Sequence, residues 1–509
     1  MLSTRRQSTR SVSWSQPKSS AMQLRPAAPA KPATAPVRNT LTANATLGTH
    51  PLTRGQDNLT LHKYEQSVKD AFDAIVPALK RISAMQHEEN FEARAQVIAR
   101  EQLGYELPAH ILADAWIEQL DMRRLFAWAV FETYHRYSDD FFTHDHLILE
   151  KDFQQFLIGC GFHTLDVSPC ADGRLAHVIS YVLRLPYREV RRKSYAGAMF
   201  DIEDSLAKWV ETELIRFREG RPNTADGSTR YLKAVVYHFS SSDPDHEGCA
   251  AHGSDTQRAA QAGLDRLYGF QQAVQNSFCC GASIDLLLIG LNTDNDAIRI
   301  HVPDDKGAIA LNQFIDAQTV FDETGRLSAQ QAEALVLGRV RDVNAHATEG
   351  MVRFVTLLIT NNLSQIDYVR QFYGERYQDI GHAERFIGAG IGFEEIQLRN
   401  LTYFSYMHTV EEATDNMDVG IKIFSKLNVA RGLPVPVVVR YDYHGHVPGA
   451  RERAINNCQR VEDALHMRYR ELVEQGLLHT LLVIRDCHAN ERIEILGSSI
   501  DNHTAQGKN

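Results

Sequence analysis

Between residues 58 and 150 the apolar positions recur every three or four residues. Val68, Ala71, Phe72, Ile75, Val76 and Leu79 fall on one side of a helix, and ADAWIEQLDMRRLFAWAVFETYHRYSDDFF continues the pattern. The spacing predicts an all-helical module, kinked at Pro77 because proline lacks the N–H that a helix interior needs. From about residue 151 the period changes. YLKAVVYHFS and SIDLLLIGLN are short, rich in Val, Leu and Ile and bounded by polar residues, which predicts buried strands; TQRAAQAGLDRLYGFQQAVQNS between them predicts a helix. The same order returns near the end, with VPVVVRYDY as strand, RERAINNCQRVEDALHMRYRELVEQG as helix and LLHTLLVIRD as strand. Leu286–Gly290 followed by Ile298 matches Leu481–Arg485 followed by Ile493, with seven residues between the blocks in both places, and the copies go on as IRI and IEI. An internal duplication follows. Residues 1–56, typified by RPAAPAKPATAPVRNT, hold scarcely any bulky apolar residue to bury and are expected to be disordered. The predicted fold is α/β: a disordered basic leader (1–56), an all-helical domain (57–150), an α/β domain (151–385) and a second, degenerate α/β copy (386–509).

Composition narrows the class. A chain of 509 residues exceeds one compact core, and 43% hydrophobic with 23% charged residues is ordinary for folded domains. No apolar run approaches the ~18 residues of a membrane helix, and no apolar signal core follows MLSTRRQSTRSVSW, so the expectation is a cytoplasmic protein without a membrane partner. Seven cysteines scattered over the chain make a poor disulfide framework and suit free thiols or metal thiolates. The net charge of −10 conceals an asymmetry: residues 1–56 hold eight Arg or Lys and no acid, leaving −18 on the rest by difference. The leader, with Arg5, Arg6, Arg10, Lys18, Arg25, Lys31, Arg38 and Trp14, fits docking on an acidic protein surface or a solubilising role, whereas the acidic body repels phosphate and argues against a nucleic-acid partner.

Two segments carry candidate chemistry. In SPCADGRLAHV an extended backbone would place Cys170, Asp172 and Arg174 on one face, bringing thiolate, carboxylate and guanidinium together. Taken alone this also fits a buried structural cysteine beside a salt bridge. YHFSSSDPDHEGCAAHGSD then packs His238, His246, Cys249 and His252, with Asp243 and Asp245, after a strand, a dense set of metal ligands that with Cys170 points to zinc. Spacing alone favours Cys249 and His252 as the close pair and leaves His246 open. Cys279 and Cys280 precede a buried strand and suit a structural role. A closed set of four ligands, such as Cys170, His238, Cys249 and His252, would make the metal purely structural, in a scaffold protein. A metallohydrolase is disfavoured, since the chain has no HExxH.

SPCADGRL, YHFSSSDPDHEGCAAHGSD, CCGASIDLLLIGLNTDNDAIRIH, KSYAGAMFDIED, NNLSQIDY and DIGHAERF together resemble the carboxysomal carbonic anhydrases, a divergent branch of the β class, from the helical module to near the C-terminus. The resemblance implies the same order of parts and two β-carbonic-anhydrase-like domains. It also implies one zinc per chain on Cys170, His238 and Cys249, with Asp172 and Arg174 as the adjacent dyad, so that His238 displaces His252 from the spacing-based set. Ten residues separate His238 from Cys249, where the ordinary β-class pattern has His and Cys two apart, which keeps His246 and His252 as alternatives. Aligning VVYH with VVRY sets Tyr441 opposite His238, and no cysteine nearby replaces Cys249, so the second copy is expected to be metal-free.

The implied reaction is hydration of CO2 to bicarbonate by a hydroxide generated on zinc, oriented by Asp172, which Arg174 holds ionised and away from the metal. His382 in DIGHAERF is a candidate proton shuttle or, equally, a structural hydrogen-bonding residue at the domain junction. The implied setting is the carboxysome lumen, with the leader tethering the enzyme to Rubisco or shell proteins, and the implied assembly a homodimer or a multiple of one. No phosphate-binding signature supports control by a sugar phosphate.

Overall fold

A computed structural model describes residues 50–501 apart from 117, 145–146, 148–151, 224–228, 279–282, 409–412 and 490–491, and for 413–415 the backbone only. Residues 1–49 of the leader, with Cys279 and Cys280, lie outside the described residues; residues 50–56, expected to be disordered, instead pack on the fold, His50 being buried on Thr324 and the first helix beginning at Gly55.

The helical region runs through Gly55–Asp73, Ile75–Ala84, Phe91–Gln102, Ala109–Asp114 and Met122–Thr143. Of the predicted stripe Val68, Phe72, Ile75 and Leu79 are buried, joined by Leu61, Tyr64 and Ile82, whereas Ala71 is exposed and Val76 half-buried. The break differs from expectation: it falls at Ala74, and Pro77 lies in the first turn of the new helix. There its missing N–H costs nothing, because first-turn amides have no partner within the helix.

The rest of the chain builds two sheets. The first contains β1 (Phe162–Pro169), β2 (Val190–Arg192), β3 (Arg230–Phe239), β4 (Ile284–Asn292), β5 (Ile298–His301) and β6 (Ile315–Asp316), in the order β2-β1-β3-β4-β5-β6. The second contains β7 (Phe386–Ile391), β8 (Thr402–Tyr406), β9 (Val435–Tyr443), β10 (Leu478–Asp486) and β11 (Glu494–Ser498), in the order β11-β10-β9-β7-β8. Read from the β8 edge, the second repeats the first strand for strand. In both, four strands run parallel and the next is antiparallel. The near-continuous apolar runs reflect burial on both faces, as parallel sheets require.

The ladders refine the duplication. His238 pairs with Leu291, and Tyr441 pairs with Ile484. The matched blocks would instead carry Leu291 onto Asp486, whose partner is Tyr443. The two sequence matches are therefore out of step by two residues, a slip that alternation tolerates because it returns each side chain to the same face. On either alignment a tyrosine stands where the first copy has His238.

The two copies meet along a backbone seam. The N–H of Phe404 donates to the carbonyl of Ala171 at 3.1 Å, that of Tyr406 to Ser194 at 2.9 Å, and that of Asn400 to Gly173 at 2.8 Å. Ala171 packs into the core of the second sheet. Among the described residues no helix is long and apolar enough to cross a membrane.

Candidate metal centre

In the first sheet the chain leaves β1 for β2 on one side and crosses back to β3 on the other, so the strand order reverses between β1 and β3. The carboxyl ends of parallel strands splay apart at such a point and leave a crevice. Cys170 follows β1, held by its N–H to the Val236 carbonyl at 3.1 Å, and His238 is the penultimate residue of β3. Cys249 enters from the loop after β3, where it caps the short turn Ala250–His252. The Sγ atoms of Cys170 and Cys249 lie 4.0 Å apart, and the ligand atoms of Cys170, His238 and Cys249 all fall within 4.8 Å of one another.

These three side chains are buried, and among the described residues neither ring nitrogen of His238 makes a hydrogen bond, its Nε2 lying 3.5 Å from Asp172 Oδ2. A buried imidazole left unpaired is costly unless something else occupies its lone pair, and an orphaned imidazole beside two thiols is the donor set of a zinc ion. Contact with Cys249 holds the Cys170 thiol well below its usual range, and the same contact pushes Cys249 up.

Asp172 and Arg174 do not meet by strand alternation as expected. The strand has ended, and Asp172 caps the turn Gly173–Leu175, its Oδ1 accepting from the N–H of Arg174 at 2.9 Å. The turn folds the guanidinium back, with Nε on Oδ1 at 3.1 Å and an Nη on Oδ2 at 2.8 Å. Burial alone would raise the Asp172 carboxyl, but Arg174, with His382 and His238, holds it well below the usual carboxylate range. Arg174 also donates to the Glu247 carbonyl at 2.7 Å, which fastens the Asp172 turn to the loop bearing Cys249.

His382 Nε2 lies 3.8 Å from Asp172 Oδ2, and its Nδ1 lies 2.9 Å from Glu384 Oε1. Burial opposes charge on His382, yet Asp172 and Glu384 raise its pKa above the ordinary value. Glu384 escaped the sequence reading although it lies within DIGHAERF. Its Oε1 also accepts from the Gly173 N–H at 3.2 Å, and a Cβ at Gly173 would sit 2.4 Å from Glu384 Cγ, so the contact requires glycine. The alternatives His246 and His252 are engaged elsewhere: His246 is exposed beside Asp243 at 2.8 Å, and His252 Nε2 meets the Gly197 carbonyl at 3.1 Å.

The corresponding crevice of the second sheet is filled. A Cβ at Gly390 would lie 2.0 Å from the Arg440 carbonyl oxygen, and one at Gly392 would lie 2.4 Å from the Asp442 carboxyl, so glycines let β9 close against β7. Arg440, fully buried, pairs with Asp442 at 2.6 Å and with Glu395 at 2.5 Å. Glu395 in turn accepts from Tyr134 at 3.0 Å and Ser138 at 3.1 Å of the helix Met122–Thr143.

Comparison with known proteins places matches along the chain. Residues 50–142, 152–382 and 383–500 match family models described as the N-terminal, catalytic and C-terminal domains of Carboxysome Shell Carbonic Anhydrase. The carboxysome shell carbonic anhydrase of Prochlorococcus marinus (strain MIT 9313) is 53% identical over 494 residues, covering 94% of this chain and 96% of that protein. The protein of the same name from Parasynechococcus marenigrum (strain WH8102) is 56% identical, covering 89% and 79%. That from Halothiobacillus neapolitanus (strain ATCC 23641 / c2) is 44% identical, covering 88% and 90%.

Proposed function

Because the chain belongs to the carboxysome shell carbonic anhydrase family and is a carbonic anhydrase, we propose that it interconverts CO2 and bicarbonate inside a carboxysome, at a zinc ion held by Cys170, His238 and Cys249. The observation that carries this reading is the buried His238 ring gathered with two thiols, its Nε2 3.5 Å from a carboxylate held ionised. Zinc held there supplies the acidity the reaction needs, lowering the pKa of a water from ~15.7 towards ~7.

The chain's own residues do the rest. Asp172, as a carboxylate, only accepts hydrogen bonds, so it takes the proton-bearing side of the attacking oxygen and turns a lone pair towards the carbon of CO2. Arg174 occupies both of its oxygens and keeps the carboxylate from swinging in as a further metal ligand. His382 faces Asp172 through Nε2 while Glu384 holds its Nδ1, a geometry suited to carrying away the proton each turnover releases. The engagement of His252 with Gly197 speaks against the four-ligand, closed site of a scaffold protein.

The same reading assigns residues 57–150 to a helical domain, 151–385 to the catalytic domain and 386–509 to its degenerate copy, assembled as a homodimer or a multiple of one. The basic leader, residues 1–56, tethers the enzyme to Rubisco or shell proteins through many weak, salt-sensitive contacts. Stopped-flow CO2 hydration by the reduced, zinc-loaded full-length protein tests the central claim. Fast hydration that collapses in Asp172→Asn supports it; one tightly bound zinc with no hydration above buffer overturns it.

A further inference from the structure

We propose that the second copy carries a separate surface site for a divalent transition-metal ion, formed by His444, His446 and His488. The three residues come from two loops that leave the carboxyl ends of β9 and β10. The rings of His444 and His446 have centroids 5.7 Å apart, and those of His446 and His488 lie 4.5 Å apart. Two imidazoles bound to one ion at ~2.0–2.1 Å place their ring centroids roughly 4.5–5.5 Å apart, so the cluster is near coordinating distance. All three rings are exposed. Their nitrogens are not gathered as closely as the donors of Cys170, His238 and Cys249, so binding one ion requires the side chains to rotate towards it.

The loops are fixed by a device that has no other evident purpose. Asp486 Oδ1 accepts from the backbone N–H of Gly445 at 2.9 Å and of His488 at 2.9 Å, joining both loops on one carboxylate. A Cβ at residue 445 would lie 2.0 Å from Asp486 Oδ2, so the His-Gly-His sequence is the one that lets the carboxylate seat between the two histidines. The N–H of Val447 donates to the His444 carbonyl at 2.9 Å, closing a turn, and that of Cys487 donates to Tyr443 at 2.9 Å. Asp486 and Glu211 both lie within electrostatic reach of the cluster and favour a cation there. An all-imidazole surface set suits Zn2+, Ni2+ or Cu2+ and disfavours Mg2+ and Ca2+, which demand oxygen ligands. Held there, the ion would staple the two loops together. The site is independent of the cysteine centre and of the activity proposed for it.

The test is calorimetric titration of Ni2+ into full-length protein already loaded with zinc. The wild type should take up one further ion per chain and unfold at a higher temperature in its presence. His446→Gln/His488→Gln should lose both responses while its CO2 hydration matches wild type, and Asp486→Ala, which frees the loops, should weaken uptake by about tenfold. Absence of uptake beyond the resident zinc in the wild type, or undiminished uptake in the double variant, overturns the proposal.

Discussion

The first and second sheets share a strand order and differ in what stands at the point where that order reverses. In the first, the crevice between β1 and β3 receives two thiols and an imidazole without partners of its own. In the second, β7 and β9 close through Gly390 and Gly392, and the space is taken by Arg440, Asp442 and Glu395, which bond to one another. Both are buried and polar, but the second balances its own charges, with Arg440 between Asp442 and Glu395. A gathered set of metal-ligating donors suits a ligand, whereas a set of buried ion pairs makes a joint. Here the joint grips the helical region through Tyr134 and Ser138, while Arg485 stacks on Phe142 at 3.7 Å.

The contrast breaks most sharply with His238→Ala. Zinc content should fall to near zero and CO2 hydration by on the order of 10³-fold or more, with little change in folding, as read by metal analysis and stopped flow. The mirror experiment is Arg440→Ala, which strands Asp442 and Glu395 as buried charges. It should cost about 3–5 kcal/mol in denaturant unfolding and leave zinc content unchanged in the fraction that folds. Equal activity losses and equal stability losses in the two variants would mean that the two crevices do not differ as argued.

A smaller effect is expected for His382→Ala. Turnover should drop about 10²-fold in weak buffer and recover when imidazole is added, whereas a residue that only braces the junction would show no recovery. The smallest concerns acid. His301, buried on β5 and bonded to Tyr237, is lowered by burial to about 4, and β11 of the second copy has no histidine. The unfolded chain therefore takes up this proton first, so stability is full above pH 6.5 and falls as pH drops towards 4. Between pH 7 and pH 5 His301 should contribute about 2 kcal/mol of the loss, so His301→Gln should lose less than wild type by that amount, as measured by urea midpoints.

Local pattern made much of this legible. VPVVVRYDY is β9 to the residue, and the helix read over TQRAAQAGLDRLYGFQQAVQNS is the helix Thr256–Phe278, because period and length decide such elements. In SPCADGRL alternation suggested a shared face, whereas a capped turn brings Asp172 and Arg174 together. The Ala74 break was illegible because the first turn of a helix accepts proline. Glu384 and the Arg440 network depend on partners hundreds of residues away, as in the Tyr134–Glu395 bond, and no spacing rule reaches that far.

The seam also bears on inheritance. Carbonyls of Ala171 and Gly173, either side of Asp172, are bonded by amides of the second copy, so that copy remains part of the first copy's wall. Selection on the reaction therefore reaches into that half at Phe404 and Asn400, while its own crevice is free to drift towards any arrangement that keeps the strands closed. Fusion in one reading frame also fixes the ratio of the two halves at translation, so no reactive half is ever made without its wall.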